Sequence, residues 1–376
     1  MTAQQEVIDF LSRPESYGAS GPAVEIIETH GSLIFLHGER AYKLKRAIAY
    51  AALDFLTLTK RERACHAELR LNGRTAPGIY LEVRSITRGL DGRLAFDGAG
   101  EVLDWVVVMR RFPQTDLFEQ MALAGKLTPA LIQALGAEIA RFHASAEVTP
   151  EFGGSAGIRW AIESNHQEMC RYSQLLGTEA VLALYRDQMV LLEQQAPTLE
   201  LRRNSGRVRR CHGDMRLANI CLFEGRPTLF DGIEFSDLIA CIDVLYDLAF
   251  VLMDLQHHRL GKLAPLLLRA YLDHGDEMQD CPPLPLFLSV RAATRCYTLA
   301  GSALRQTTLG ARRKKTKQAL ALLRQSRIYL LDHQALGLGF RQLSRTMQPA
   351  SPGKWALNWP SMKSASSRTA STRPVR

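Results

Sequence analysis

Asp214, Asn219 and Asp231 are the residues in this chain whose types and spacing best suit chemistry. They lie in His212-Gly213-Asp214-Met215-Arg216-Leu217-Ala218-Asn219 and in Phe230-Asp231-Gly232. Asn219 follows Asp214 by five positions and Asp231 by seventeen. A carboxylate can orient a hydroxyl and accept its proton, while a second carboxylate and an amide offer hard oxygen ligands to a divalent cation. Phosphoryl transfer needs both provisions. The flanking sequence suggests how they are positioned. Val208 to Cys211, Ile220 to Phe223 and Pro227 to Phe230 read as strands, and Glu224-Gly225-Arg226 joins the last two as a hairpin. That hairpin would bring Asn219 and Asp231 to neighbouring ends, within reach of one cation.

The elements further out follow the hydrophobic periods. Val7 to Leu11 reads as a short helix and Arg13 to Pro22 as a loop. Val24 to Thr29, Leu33 to Leu36 and Ala41 to Lys45 read as strands. Lys43 and Lys45 share a face of the third, because strand side chains alternate. Leu56 to Asn72 is predicted helical, and Leu81 to Thr87 and Arg93 to Phe96 are predicted strands. Trp105 to Arg110 is a continuous apolar run ending in arginine, as expected of a central strand. From Asp116 the pattern turns helical, with helices predicted over 127–147, 158–176, 179–194, 263–272, 284–306 and 317–331. Between them lies Ile242 to Leu255, an apolar run interrupted by Asp243, Asp247 and Asp254. An aspartate inside so apolar a helix needs buried partners, and Asp243 and Asp247 are spaced to share a helix face.

Composition narrows the class. Of 376 residues, 46% are apolar and 23% charged, so a packed core is expected. There is no signal-peptide pattern and no apolar run long enough to span a bilayer, which points to a soluble, cytoplasmic protein without membrane partners. The seven cysteines are dispersed and never form a C-x-x-C pair, which argues against a disulfide framework or a zinc site. The net charge of +9 could suggest nucleic acid, but residues 340–376 hold seven basic residues and no acidic one. The remainder is nearly balanced, so a nucleic-acid partner is disfavoured. Arg312-Arg313-Lys314-Lys315 reads as a solvated helix face.

The two blocks at this spacing resemble the catalytic loop and D-F-G segment of protein kinases. More closely, the chain resembles the aminoglycoside phosphotransferase-like (APH-like) branch of that fold. The nearest match is a bacterial subfamily in which this domain precedes a P-loop kinase domain. The resemblance rests on Tyr42-Lys43-Leu44-Lys45, Cys211-His212-Gly213-Asp214, Phe230-Asp231-Gly232-Ile233-Glu234-Phe235 and Tyr246-Asp247-Leu248-Ala249-Phe250, and spans residues 24–335. It implies an α+β, two-lobed protein-kinase-like fold. An N-terminal nucleotide-binding lobe (1–112) would carry an antiparallel sheet and one helix. A larger, mostly helical catalytic lobe (113–335) would follow, then a basic tail (336–376) expected to be disordered.

The resemblance also implies roles. Asp214 is the expected base, with Asn219 and Asp231 as ligands of Mg2+. Lys43, with Lys45 as competitor, would contact ATP phosphates and pair with Glu68, for which Glu62 is the competitor. Backbone N–H groups near Gly31 and Ser32 would cover the phosphates, and the crossover at Val108 to Arg111, centred on Met109, would meet the adenine. Asp247 would hold the catalytic loop from beneath. Glu234 could order metal-bound water or meet the acceptor, and His143 reads as structural. The expected activity is transfer of the ATP γ-phosphate to a hydroxyl of a small molecule. The alternative is a non-catalytic, ATP-binding regulatory module for a P-loop kinase partner. Two departures stand out. Arg216 occupies a position usually held by histidine, where a cation could neutralise the γ-phosphate. No G-x-x-x-x-G-K-[ST] occurs, so a P-loop domain would be encoded separately or lost. The tail would then be a truncated or frame-shifted second domain, or else a natural basic end.

Overall fold

A computed structural model describes residues 3–18, 22–50, 53–275 and 281–331. The smaller lobe is built on an antiparallel six-stranded sheet of order β1-β2-β3-β8-β6-β7. Its strands are β1 (Glu25–Glu28), β2 (Ser32–His37), β3 (Arg40–Lys45), β6 (Tyr80–Arg88), β7 (Leu94–Phe96) and β8 (Glu101–Arg110), and the two-residue strands β4 (Ala49–Tyr50) and β5 (Leu53–Asp54) form a separate ribbon. Strand alternation sorts the side chains into two layers. Phe35, Tyr42, Leu44, Val106 and Val108 pack with Val7 and Leu11 of helix α1 (Ala3–Leu11). Leu36, Ala41, Val107 and Met109 face the other way, with Cys65 of helix α2 (Leu58–Asn72). Lys43 and Lys45 belong to this second face, so the period of the strand aims both at α2. Thr57 caps α2 by accepting from the Lys60 N–H.

The larger lobe is mostly helical. It contains α3 (Phe118–Leu123), α4 (Pro129–Ser145), α5 (Gly154–Cys170), α6 (Ser173–Leu176), α7 (Thr178–Asn204), α8 (Asp237–Ala240), α9 (Val244–His257), α10 (Ala264–His274), α11 (Leu284–Leu304) and α12 (Leu309–Leu331). Two short ribbons sit among them. β9 (Val208–Arg210) pairs with β12 (Cys241–Asp243), and β10 (Ile220–Phe223) with β11 (Arg226–Leu229). Glu224 and Gly225 form the β10–β11 turn with φ of 49° and 76°. This is the pattern of a two-residue type I′ hairpin, and Arg226 joins the strand. Helix α9 is buried along almost its whole length and forms the centre of the lobe. No helix among the described residues is long and apolar enough to cross a membrane.

Several boundaries differ from expectation for identifiable reasons. The helix expected over 179–194 runs on to Asn204 through Pro197. Buried Leu199 and the ion pair of Arg202 with Asp243 hold its extension. The helix expected to begin at Lys317 begins at Leu309, its first turns exposing the basic run to water. Helix α5 starts at Gly154, four residues before the expected Ile158, and both Gly154 and the preceding Gly153 have positive φ. Asp243 does not share a helix face with Asp247. It is the N-cap of α9, accepting from the Leu245 N–H at 2.8 Å and from Arg202 at 2.7 and 2.8 Å. The tail expected to be disordered, 336–376, lies outside the described residues.

Close packing between α4 and α10 yields a test. A Cβ at Gly136 would stand 2.6 Å from the Leu267 carbonyl oxygen and 2.8 Å from Ala270 Cβ. Gly136→Ala should cost about 1–3 kcal/mol by overpacking, seen as a lower midpoint in urea unfolding with an unchanged slope.

Candidate active site

The first half of the site is a buried charge cluster beneath the sheet. Glu68, on the inner face of α2, is fully buried. Its Oε1 accepts from Lys43 Nζ at 2.6 Å and its Oε2 from Lys45 Nζ at 2.6 Å. Each lysine also reaches into the larger lobe. Lys43 Nζ lies 2.5 Å from Asp231 Oδ1, and Lys45 Nζ 2.5 Å from Glu234 Oε1. Two candidate lysines therefore have different carboxylates, and only Lys43 meets Asp231. Glu62 is not part of the cluster. Burial opposes the charge on Lys43, but Asp231 and Glu68 outweigh it and hold the ammonium well above the usual lysine range. Three carboxylates against two lysines leave one under-compensated. It is Glu234, whose pKa is raised by burial despite Lys45.

The second half is the loop from His212 to Asn219. Gly213 sits at φ +83°, and a Cβ there would lie 3.0 Å from Ile233 Cγ1 and 3.1 Å from the Ile239 carbonyl oxygen, so the loop needs glycine. Asp247, fully buried on α9, accepts from the N–H groups of His212 at 2.9 Å and Gly213 at 3.0 Å. His143 Nε2 lies 3.2 Å from the same carboxylate, and its Nδ1 lies 3.0 Å from the Tyr271 hydroxyl. His143 is thus structural. Burial would raise the pKa of Asp247, but its bonds to His143 and the nearby cations bring it down to about 2. Arg291, on α11, donates to the carbonyls of Gly213 at 3.2 Å and Tyr246 at 3.0 Å. Asp254 Oδ2 accepts from the Leu217 N–H at 2.9 Å. Two buried aspartates and an arginine therefore fix the loop from below. Asp254 interrupts the apolar run in the sequence just as Asp247 does, a signal that could have found it. Arg291 gave no such signal.

On the open side of this loop, Asp214 meets Asn219 and Arg216. Asn219 Nδ2 donates to the Asp214 carbonyl and to Asp214 Oδ2, both at 2.9 Å. Its Oδ1 accepts nothing among the described residues. Arg216 grips the Asp214 carboxylate in a two-point pair, Nε to Oδ1 at 2.7 Å and Nη2 to Oδ2 at 2.9 Å. Arg216, expected to supply a cation for the γ-phosphate, is paired with Asp214 in the structure. The extended backbone at φ −120° and ψ 162° lets the side chain turn back onto the nearest anion, two residues away. Burial raises the Asp214 pKa, but Arg216 outweighs it, so the carboxyl lies below its ordinary value.

Asp231 closes the site from the other side. It has φ +60°, unusual for a non-glycine residue, and its N–H donates to the Tyr80 hydroxyl at 3.1 Å. The neighbouring Gly232 N–H donates to Asn72 Oδ1 at 2.6 Å, and Asn72 Nδ2 returns a bond to the Gly232 carbonyl. The end of α2 thus presents Asp231, whose side chain remains 45% exposed. Lys43 engages Oδ1, and Oδ2 has no partner among the described residues. Asp231 Oδ2 and Asn219 Oδ1 form an oxygen-only donor set, which suits a hard divalent cation. The buried trio His143, Cys211 and Asp247 does not. Burial pushes the Cys211 thiol pKa far up, and the other two are committed to the loop.

Gly31, Ser32 and Met109 stand apart from this convergence. The Ser32 N–H donates to Thr29 Oγ1 at 3.0 Å, so it is spent within its own turn. Gly31 packs against Leu53. Met109 is a buried residue in the middle of the sheet, paired with Ala41 and Tyr80. Beyond it, the N–H groups of Arg110 and Arg111 donate to the carbonyls of Ile79 and Glu39. A ligand at this crossover would have to use other backbone groups.

A family model described as "Phosphotransferase enzyme family" matches residues 30–281. Uncharacterized proteins of Mycobacterium tuberculosis and Mycobacterium bovis are 27% identical over 280 residues, covering 73% of this chain and 54% of each relative. The chain thus spans about half the length of the curated relatives it matches. A choline kinase from Cryptosporidium parvum superposes with a TM-score of 0.53 at 11% identity, covering 89% of this chain and 98% of that one. An amicoumacin kinase solved with AMP-PNP and Ca2+ superposes with a TM-score of 0.50 at 14% identity, covering 86% and 93%. These two likenesses concern the fold.

The depressed pKa of Asp247 makes the loop's support pH-dependent. Its stabilising effect is fully present above the unfolded carboxyl pKa and is lost as pH falls toward about 2. The linked stability is about 2 kcal/mol. In urea unfolding, the gap between wild type and Asp247→Asn should narrow by that amount between neutral pH and the acid limit.

Proposed function

This chain belongs to the phosphotransferase enzyme family, and we propose that it moves the γ-phosphate of ATP to a hydroxyl of a small molecule. The observation that carries this reading is the convergence of Asp214, Asn219 and Asp231 with Lys43, drawn from both lobes. Asp214 has the position to orient the acceptor hydroxyl and take its proton as the new oxygen–phosphorus bond forms. Lys43, held by Glu68, brings a permanent charge to the phosphates. Asn219 and Asp231 would hold Mg2+, whose contribution is to neutralise charge on the phosphate oxygens. Positioning and electrostatics would supply most of the rate.

In this reading residues 1–112 form the nucleotide-binding lobe and 113–335 the catalytic lobe. The cytoplasm, which supplies ATP and Mg2+ and keeps thiols reduced, is its natural setting. The greater length of the curated relatives leaves room for the P-loop kinase partner expected from the sequence.

A second reading, a nucleotide-binding regulatory module without turnover, has one observation in its favour. Arg216 occupies both oxygens of Asp214, the carboxylate this proposal takes as the base. Steady-state γ-phosphoryl transfer over a panel of hydroxyl compounds separates the two. Asp214→Ala should lower kcat by about 10²–10⁴ while leaving the unfolding midpoint close to wild type. Mg2+-dependent ATP binding with no transfer, and identical behaviour of wild type and Asp214→Ala, would favour the regulatory module.

A further inference from the structure

Arg295 is the one cation near Asp214 whose guanidinium has no hydrogen bond or ion pair among the described residues. It lies on α11 one turn beyond Arg291, on the same stripe of the helix. Arg291 donates to the carbonyls of Gly213 and Tyr246. Arg295 lies in the electrostatic reach of Arg216, Asp254, Asp214 and Glu119. Its Nε is buried and makes no hydrogen bond. Leaving such a group unmet costs about 1–3 kcal/mol, more for a charged one. Burial and the neighbouring Arg216 both push its pKa down, so the site holds two cations that repel each other.

Two of the acids around it already have partners. Arg216 and Asn219 occupy Asp214. Glu119 lies 3.8 Å from His258 Nε2. Asp254 gives Oδ2 to the Leu217 N–H, while its buried Oδ1 makes no hydrogen bond and lies 3.9 Å from His258 Nε2. The site therefore offers one unmet charged donor and one acceptor without a hydrogen bond, next to a base whose two oxygens an arginine covers. A polycation or a quaternary ammonium could approach Asp254 Oδ1, but it would leave the Arg295 donor unmet and would not draw Arg216 off the base.

Resting on the phosphotransferase reading, we infer that the acceptor is an alcohol bearing an anionic group, a phosphate or a carboxylate. Arg295 and Arg216 receive that group, which draws Arg216 away from Asp214 and frees the base. The hydroxyl proton then passes to Asp214 as its oxygen bonds to the γ-phosphorus. The bond from that phosphorus to the bridging oxygen breaks, and ADP leaves.

The test uses thermal stabilisation of the full chain, with and without Mg2+ and AMP-PNP, by glycerol 3-phosphate, glycerate, glycerol and choline. Glycerol 3-phosphate or glycerate should stabilise the wild type, and glycerol and choline should not. Arg295→Gln should weaken the anion's effect about tenfold or more in half-saturating concentration, and Arg295→Lys should restore part of it. Both variants should keep the nucleotide shift, which shows that they fold. Stabilisation by choline, no stabilisation by either anion, or an anion effect equal in wild type and Arg295→Gln would overturn the inference. Loss of the nucleotide shift in the wild type tells instead against the phosphotransferase reading, whatever the anions do.

Discussion

Glu68 is the hinge of the whole arrangement. A fully buried carboxylate must be paired, and this one is paired twice, by Lys43 and Lys45 of a single strand. Because the strand alternates, both lysines lie on one face, and because α2 crosses that face, one glutamate serves both. Each lysine then continues to a carboxylate of the larger lobe, Asp231 or Glu234. The sheet, the helix and the segment after β11 are thereby bound to one set of charges. Removing either lysine would leave buried carboxylates uncompensated, which costs several kcal/mol.

The two lobes treat their charged groups differently. The loop from His212 to Asn219 is supported from below by Asp247, Asp254 and Arg291, all buried and bonded to its backbone atoms. Rigidity there comes from buried side chains that hold the loop's own backbone groups. Asp231 and Asn219 each keep one oxygen uncommitted on the open side. Asp214 is intermediate, fixed in place by Asn219 but covered by Arg216. Support beneath and reserve above is the arrangement expected of a site that must meet a charged ligand without rearranging its frame.

Much of this was legible in the sequence. Strand alternation placed Lys43 and Lys45 together, and an aspartate within an apolar helix announced Asp247. The hairpin turn residues located the ends that carry Asn219 and Asp231. The gaps have a common cause. The choice between Lys43 and Lys45 could not be made from period two, and the structure uses both, with separate partners. The sequence did not show that Arg216 pairs with Asp214, the anion two residues away, because that contact depends on the extended backbone at Arg216. Arg291 and Arg295 look like any arginines on a long helix, since their meaning depends on what α11 packs against. Asp243 was placed on a helix face when it is a cap, because the strand preceding α9 is only three residues long.

The central claim is that Lys43, poised by Glu68 and set against Asp231, forms a site for a nucleotide together with a divalent cation. Calorimetric titration of ATP into the full chain tests it most directly, with and without Mg2+, for wild type and Lys43→Met. The account predicts binding that requires Mg2+ and weakens by about tenfold or more in the variant, the loss of a charge-assisted hydrogen bond. Binding of equal strength without Mg2+, or equal strength in Lys43→Met, would contradict it.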